Sequence, residues 1–157
     1  MGGGQKLVIT VYLAGPIHKC TDKQAHDWRN YVMSKLPECK FRNPMDRDYR
    51  GADHSDPELE NKVVHGDKAD IDASDIVLVN FSKPSVGTSM EVLYSWERGK
   101  TVFIVDTSKN YGPLSVWLTY HSNKVFKTMD EAINDIQKIV EQDVEFIFED
   151  EVKNDEY

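Results

Sequence analysis

The stretch from Asp75 to Val105 constrains the fold more than any other part of the chain. It reads as an apolar run, Ile76-Val77-Leu78-Val79, followed by a tight loop, Pro84-Ser85-Val86-Gly87-Thr88-Ser89. A helix then opens at Met90-Glu91, ends near Arg98-Gly99-Lys100, and leads into a second apolar run, Thr101 to Val105. A buried strand, a Gly/Ser/Thr turn, a helix and another buried strand form a βαβ unit with parallel strands. In such a unit ligands sit outside the carboxyl ends of the strands. Glu91 falls there, and two readings of it stand together. A carboxylate in the first helical turn complements the helix dipole, with Thr88 or Ser89 as the N-cap. The same place also suits a nucleophile, kept ionised by the helix N-terminus, with Gly87 letting a ligand approach the backbone.

The preceding chain supplies the partners of this unit. Leu7 to Leu13 is a short apolar and β-branched run that should form the central strand, stopped by Ala14-Gly15-Pro16. Small residues at a strand end leave room for a ligand, so Tyr12 and Gly15 are candidates to line a pocket, although Tyr12 suits a core equally well. Asp22 to Leu36 carries Ala25, Trp28, Tyr31, Val32 and Leu36 at helical spacing, with Thr21 as N-cap and Trp28 as a packing residue. Phe41 to Pro44 resembles a short strand. The mixed segment Met45 to Gly51 is either a solvated loop or a substrate loop, with Tyr49 stacking on a planar ring and Arg47 or Arg50 gripping an anion. A helix should begin at Asp56-Pro57-Glu58 and continue or restart through Ser74. Within it Asp67, Asp70 and Asp72 crowd together, and mutual repulsion means that they face water or serve a site.

Composition narrows the class. A chain of 157 residues fits one domain and can bury roughly 70% of its unfolded surface. A formal net charge of -8 argues against a surface for nucleic acid. Cys20 and Cys39 match no metal or redox spacing and read as reduced thiols of a cytoplasmic protein. No apolar run reaches membrane length, and no signal peptide is read ahead of the first strand. Residues 1–6 read as a flexible leader, in which Lys6 stands where a myristoylation pattern wants Ser or Thr.

Toward the other end, Leu114 to Tyr120 is rich in aromatic residues, and Trp117, Tyr120 and His121 read as packing or interface positions. Val125-Phe126 is the last short strand. Thr128 and Glu131 form a capping box for a helix that carries Ala132, Ile133, Ile136, Ile139 and Val140. Val144 to Phe148 reads as an edge strand or a docking arm, and residues 149–157 are acidic enough to be disordered.

Four pieces then stand in order: Tyr12-Leu13-Ala14-Gly15-Pro16, Asp67 eight residues before Asp75, the strand Ile76 to Val79, and Pro84 through Glu91. Together they resemble the nucleoside 2-deoxyribosyltransferase family, which includes transferases and related nucleotide N-glycosidases. The likeness spans roughly residues 7 to 128 of a single domain drawn over 7–148. It implies a flavodoxin-like or Rossmann-like three-layer α/β sandwich on a roughly five-stranded parallel sheet. It also implies that Glu91 attacks the anomeric carbon, that Asp67 contacts or protonates the base, and that Tyr12 orients the glutamate. Gly15, Pro16, Tyr49, Arg50, Ser85, Gly87, Thr88 and Ser89 are the candidate substrate contacts. Asn123 lies about one position from an asparagine that transferases present to a neighbouring subunit's site. Tyr157 compares with an aromatic C-terminal residue that some transferases place in an adjacent site.

Ser85 departs from the nucleoside-specific members, where an acid tends to receive the sugar 5′-hydroxyl, and resembles the serine of the monophosphate N-glycosidases. With Thr88 and Ser89 it can hold a 5′-phosphate. The expected activity is cleavage of the N-glycosidic bond of a (deoxy)nucleoside or nucleotide through a covalent glycosyl-glutamate, with transfer of the sugar to another base. Hydrolysis of a (deoxy)nucleoside 5′-monophosphate is the alternative, and a non-catalytic nucleotide-binding or sensing module is the second. The expected partners are a small nucleoside or nucleotide and further copies of the chain, as a dimer or higher homo-oligomer. Neither a metal, a cofactor, a nucleic acid polymer nor a membrane is expected.

Overall fold

The computed structural model describes the backbone of residues 8–154 and the side chains of residues 8–142. Five strands, β1 (Thr10–Ala14), β2 (Lys40–Arg42), β3 (Ile76–Phe81), β4 (Thr101–Asp106) and β5 (Lys124–Phe126), form one sheet in the order β2-β1-β3-β4-β5. Every pairing is parallel, with Tyr12 opposite Val77 and Val79 opposite Ile104. All six residues of β3 are buried, as expected of a strand covered on both faces. The chain leaves β1 toward one edge and β3 toward the other, so the crevice between their carboxyl ends is the topological switch point of this sheet.

Period-two alternation splits the core into two layers. Val11, Leu13, Ile76, Leu78, Phe103 and Val105 point to one face and pack against Val32 of α1 (Asp22–Lys35), its C-cap Leu36, and Ile133 and Ile136 of α6 (Met129–Asn154). Tyr12, Ala14, Val77, Val79, Val102 and Ile104 point to the other. There they meet Ile71 of α3 (Gly66–Asp72), Val92 of α4 (Val86–Glu97) and Leu118 of α5 (Val116–Tyr120). The result is the three-layer α/β sandwich implied by the sequence. Three caps fall where expected: Thr21 caps α1, with Gln24 completing a box; Asp56 accepts the Glu58 N–H ahead of α2 (Pro57–Glu60); and the Glu131 N–H donates to Thr128, one half of the expected box. Between α2 and α3 the helix passes through a π-helical turn, Asn61–His65, so the segment continues rather than restarts. Cys20 and Cys39 carry free thiols.

Three boundaries differ from expectation. β1 begins at Thr10, three residues later than read, and Leu7 and the leader lie outside the described residues. α4 begins at Val86, four residues early, because Ser85 and not Thr88 or Ser89 is its N-cap; the Ser85 hydroxyl accepts the Thr88 N–H. Residues 144–148 are helical within α6 instead of a strand or arm. Val140, Val144 and Ile147 continue the spacing of Ile133 and Ile136, which is a helical and not an alternating period. α6 runs on to Asn154, and Tyr157 lies outside the described residues. Among the described residues, no helix is long and apolar enough to cross a membrane.

Ile136 is fully buried where α6 covers the sheet. Ile136→Ala should lower the unfolding free energy by about 2–5 kcal/mol, measured by urea titration; an unchanged midpoint would mean that α6 does not close this layer.

Candidate active site

Tyr12 is the third residue of β1, and the pleat sends it to the layer that contains α3 and α4. Asp67 stands in the first turn of α3, and Glu91 is the sixth residue of α4. The early start of α4 therefore moves Glu91 out of the first turn into the second, where the helix dipole has largely faded. What acts on Glu91 instead is burial. It pushes the carboxyl up to about 8, Asp67 adds to that rise, and the Arg29 guanidinium and the Tyr12 hydroxyl oppose it. The expectation that the helix N-terminus keeps Glu91 ionised is corrected on this point.

The three groups share one environment. The Tyr12 phenol is held far above its ordinary range by burial and by the Glu91 and Asp67 charges. Burial foremost raises the Asp67 carboxyl, against the pull of Arg47. Tyr49 is half-buried against Ile17, Ala25 and Met45 and feels the same two carboxylates, so the loop of residues 44–51 closes the site on that side. Three buried side-chain atoms have no hydrogen-bond partner among the described residues: Tyr12 Oη, Glu91 Oε2 and Arg47 Nε. Buried polar atoms are nearly always satisfied, and orphans gathered in one place mark a site that awaits a partner.

Arg47 is built into this site through Asp67. Its Nη2 lies 3.0 Å from Asp67 Oδ1 and 2.6 Å from Asp70 Oδ2, and Arg42 adds a longer contact to Asp70 at 3.5 Å. The guanidinium rests on Gly66, where a Cβ would fall 2.5 Å from Arg47 Nε, so a side chain before Asp67 would have to displace Arg47. The acidic cluster is thereby divided. Asp72 turns the other way, toward the Tyr94 hydroxyl and Arg98.

The remaining expected contacts fall into two groups. Ser85, Gly87, Thr88 and Ser89 cluster at the start of α4, but much of their polarity is already engaged in the helix. Thr88 is buried, Ser89 donates to the Ser85 carbonyl at 2.8 Å, and Gly87 faces open space. Gly15 and Pro16 are buried in the loop after β1. A Cβ on Gly15 would lie 2.9 Å from the Trp28 ring, so its missing side chain makes room for Trp28. Two candidates already hold other groups of this chain. Arg50 holds both oxygens of Asp48, Asp22 at 2.7 Å and the Cys20 carbonyl at 3.1 Å, which makes it a staple between the 44–51 loop and α1 rather than a free anion grip. Asn123 precedes β5, at the amino ends of the strands, and its Oδ1 accepts the Val102 N–H at 2.7 Å. That places its carboxamide at the end of the sheet opposite Glu91.

One participant was not anticipated. Arg29 is fully buried on α1, where Ala25, Arg29 and Val32, with the C-cap Leu36, are all 0% exposed. An arginine in the middle of an apolar helical stripe was a visible signal. Cavity size does not single out this site. A cavity of about 680 Å³ beside α4 reaches Ser85 and Ser89 but is lined chiefly by apolar groups such as Met90, Leu93, Leu114 and Trp117. A second, of about 310 Å³, lies by His18, Tyr49 and His54, and Glu91 lines neither. The titratable chemistry, not the volume, marks the place. Among the described residues, no group of three or more His, Cys, Asp or Glu side chains is arranged to hold a metal ion.

The proton affinity of Glu91 gives a test with a definite sign. Because it is higher in the folded chain than the ordinary 4.5, the stability tied to it is complete below that value and is lost as the pH rises through about 8. Glu91→Gln should therefore melt with the wild type near pH 5 and about 5 °C or more above it at pH 9. Equal melting at both pH values, followed by circular dichroism, would refute burial as the cause.

The model of one protein family, described as nucleoside 2-deoxyribosyltransferase, matches residues 11–129 of the chain. Among solved structures the chain is similar to the 2-deoxyribosyltransferase of the psychrotolerant bacterium Bacillus psychrosaccharolyticus, at 19% identity over 80% of this chain and 90% of that one, with a TM-score of 0.65. A conserved protein from Enterococcus faecalis V583 is similar at 12% identity over 84% and 99% of the two chains, with a TM-score of 0.67. The CMP N-glycosidase BcmB of Clostridium botulinum is similar at 17% identity over 82% and 98%, with a TM-score of 0.50. At these identities the likeness is one of fold. No curated protein sequence matches the chain.

Proposed function

Since the chain belongs to the nucleoside 2-deoxyribosyltransferase family, we propose that it cleaves the N-glycosidic bond of a (deoxy)nucleoside or nucleotide at Glu91 and passes the sugar to another base. The observation that carries this reading is the gathering of Tyr12 Oη, Glu91 Oε2 and Arg47 Nε, buried and unpartnered, around two carboxyls of raised proton affinity. Perturbed carboxyl pairs of this kind are the usual acid and nucleophile of glycosyl transfer. In the first half-reaction a Glu91 oxygen bonds to the anomeric carbon as the carbon–nitrogen bond breaks, through an oxocarbenium-like state that the carboxylate stabilises. Asp67 gives its proton to the departing base, which leaves neutral. Tyr12, whose hydroxyl is unpartnered in the free chain, is the group that would donate to the attacking oxygen and orient it once substrate is bound. In the second half an incoming base nitrogen takes the sugar, Glu91 departs as carboxylate, and the proton shed by that nitrogen returns to Asp67.

A second reading, hydrolysis of a 5′-monophosphate, is favoured by the start of α4. Gly87 faces open space, Ser85 still has a hydroxyl proton to donate, and no carboxylate stands in Pro84 to Ser89 to repel a phosphate. One fold neighbour is a 2-deoxyribosyltransferase and another a CMP N-glycosidase, so both outcomes are compatible with this sheet. The deciding experiment is chromatographic detection of free base from the four 2′-deoxynucleosides and their 5′-monophosphates, each with and without a second base. Exchange only when a second base is present supports the transferase, and release from monophosphates alone supports the hydrolase. Glu91→Ala should lower either rate at least 1,000-fold, on the order of a lost nucleophile. A panel silent with folded wild-type protein that still binds nucleotide leaves the binding or sensing module.

We further infer self-association through the outer face of α4 and α5. Val86, Met90, Val116, Trp117 and Tyr120 are 67–79% exposed there, an apolar surface larger than scattered single residues would make. The wild type should sediment as a dimer or larger, and Met90→Glu combined with Trp117→Glu should shift it toward monomer; a wild-type monomer at all concentrations would discard this inference.

A further inference from the structure

Three lysines border one cavity on the face of the sheet opposite Glu91. The cavity holds about 580 Å³, and Lys23 of α1, Lys83 after β3 and Lys109 after β4 all line it. Among the described residues, none of the three stands in an ion pair; Lys83 Nζ reaches only the His18 and Lys19 carbonyls, at 3.4 Å each. Acids outnumber basic residues 27 to 19 in this chain, yet Asp27 is the one carboxylate in the lining. Lysines brought to one hollow repel each other, and an anion between them relieves the repulsion.

The rest of the lining suits a ligand. β3 is buried along its whole length, and Asn80 is its one polar residue. Alternation sets Asn80 on the face of Leu78, under α1, whereas Glu91 comes from α4 on the other face. Asn80 Oδ1 accepts the Thr107 hydroxyl at 2.7 Å, which leaves the N–H donors of the carboxamide without an acceptor among the described residues. An apolar side chain would cost less at a buried strand end than an amide used by half. Trp28 packs against the core beside Gly15 and gives the cavity an aromatic wall. Ammonium groups hold phosphate oxygens, an indole ring stacks on a planar base, and amide donors meet the base edge. Asp27 can accept from a sugar hydroxyl. The volume falls within the roughly 300–1,000 Å³ of small-molecule sites.

We propose that this cavity binds a nucleoside di- or triphosphate, with the phosphates on Lys23, Lys83 and Lys109, the base against Trp28 and its edge at Asn80. The site is separate from the one at Glu91, so its ligand is held and not cleaved.

Isothermal titration calorimetry of Glu91→Ala protein, in about 0.15 M salt, tests this without turnover. The probes are 2′-deoxyadenosine 5′-triphosphate, inorganic triphosphate and 2′-deoxyadenosine. The nucleotide should bind one to one, and each of the other two about 10-fold or more weakly. Adding Lys83→Ala and Lys109→Ala together should weaken the nucleotide about 10-fold at an unchanged melting temperature, and Trp28→Leu should weaken it as well. No saturable binding up to about 1 mM, or binding indifferent to the lysine pair, overturns the proposal. Binding lost in Ser85→Asp but kept in the lysine pair puts the phosphates at the start of α4 and overturns it too. Inorganic triphosphate bound as tightly as the nucleotide, with Trp28→Leu silent, overturns the nucleotide in favour of a bare polyphosphate. Failure of wild-type protein to release base bears on Glu91, and this titration still judges the cavity by itself.

Discussion

Two carboxyl groups, Glu91 and Asp67, are held near each other on one covered face of a parallel sheet, and much of the surrounding structure answers to their repulsion. The pleat of β1 sends Tyr12 to that face and leaves Val11 and Leu13 for the opposite core. One strand thereby closes the hydrophobic layer under α1 and α6 while delivering a phenol to the acids. Arg47 sits against Asp67 with its Nε unpartnered, and Arg29 is buried on the carbonyls of Leu13, Ala25 and Gly15 at the end of β1. Each cation is fixed by contacts that leave it little freedom to follow the proton. A site of this sort stores its tension in orphaned atoms rather than in backbone strain, and a ligand that brings hydrogen-bond partners relieves it.

Most of the architecture was legible because a parallel sheet writes itself as separate apolar runs. Ile76 to Val79 and Thr101 to Val105 are buried strands as read, and the order of four short motifs pointed to the family whose model spans residues 11–129. The misreadings have local causes. Pro84 to Ser89 looks like a turn because Gly, Ser and Thr favour turns, yet the same residues serve the first turn of a helix when Ser85 caps it. That shift changes the physics assigned to Glu91 from dipole to burial. Arg50 looked like an anion grip because a sequence does not show that Asp22 and Asp48 already occupy it. Arg29 was hidden by the habit of expecting arginine at the surface, although its spacing from Ala25, Val32 and Leu36 placed it inward.

The separation of cavity from chemistry has a further meaning. The broad apolar hollow beside α4 and the carboxyl pair lie on different flanks of the same helix, so α4 presents Glu91 to one side and Met90 and Val86 to the other. Adjacent residues on one helix thus belong to different surfaces, the buried acid to one and the exposed apolar side chains to the other.

The π-helical turn at Asn61–His65 bears on the spacing of this chain as much as on its residues. Such a turn admits one more residue than an α-helix would, and each residue advances the helix by about 100°. Downstream side chains are therefore rotated as a set: Asp67 and Asp70 come round to Arg47, and Ile71 to the core. Angular phase is thus encoded as length. Between Pro57 and Gly66 the number of residues carries information that their individual identities do not, and a relative lacking one of them would match this chain letter for letter afterward while aiming its acids elsewhere.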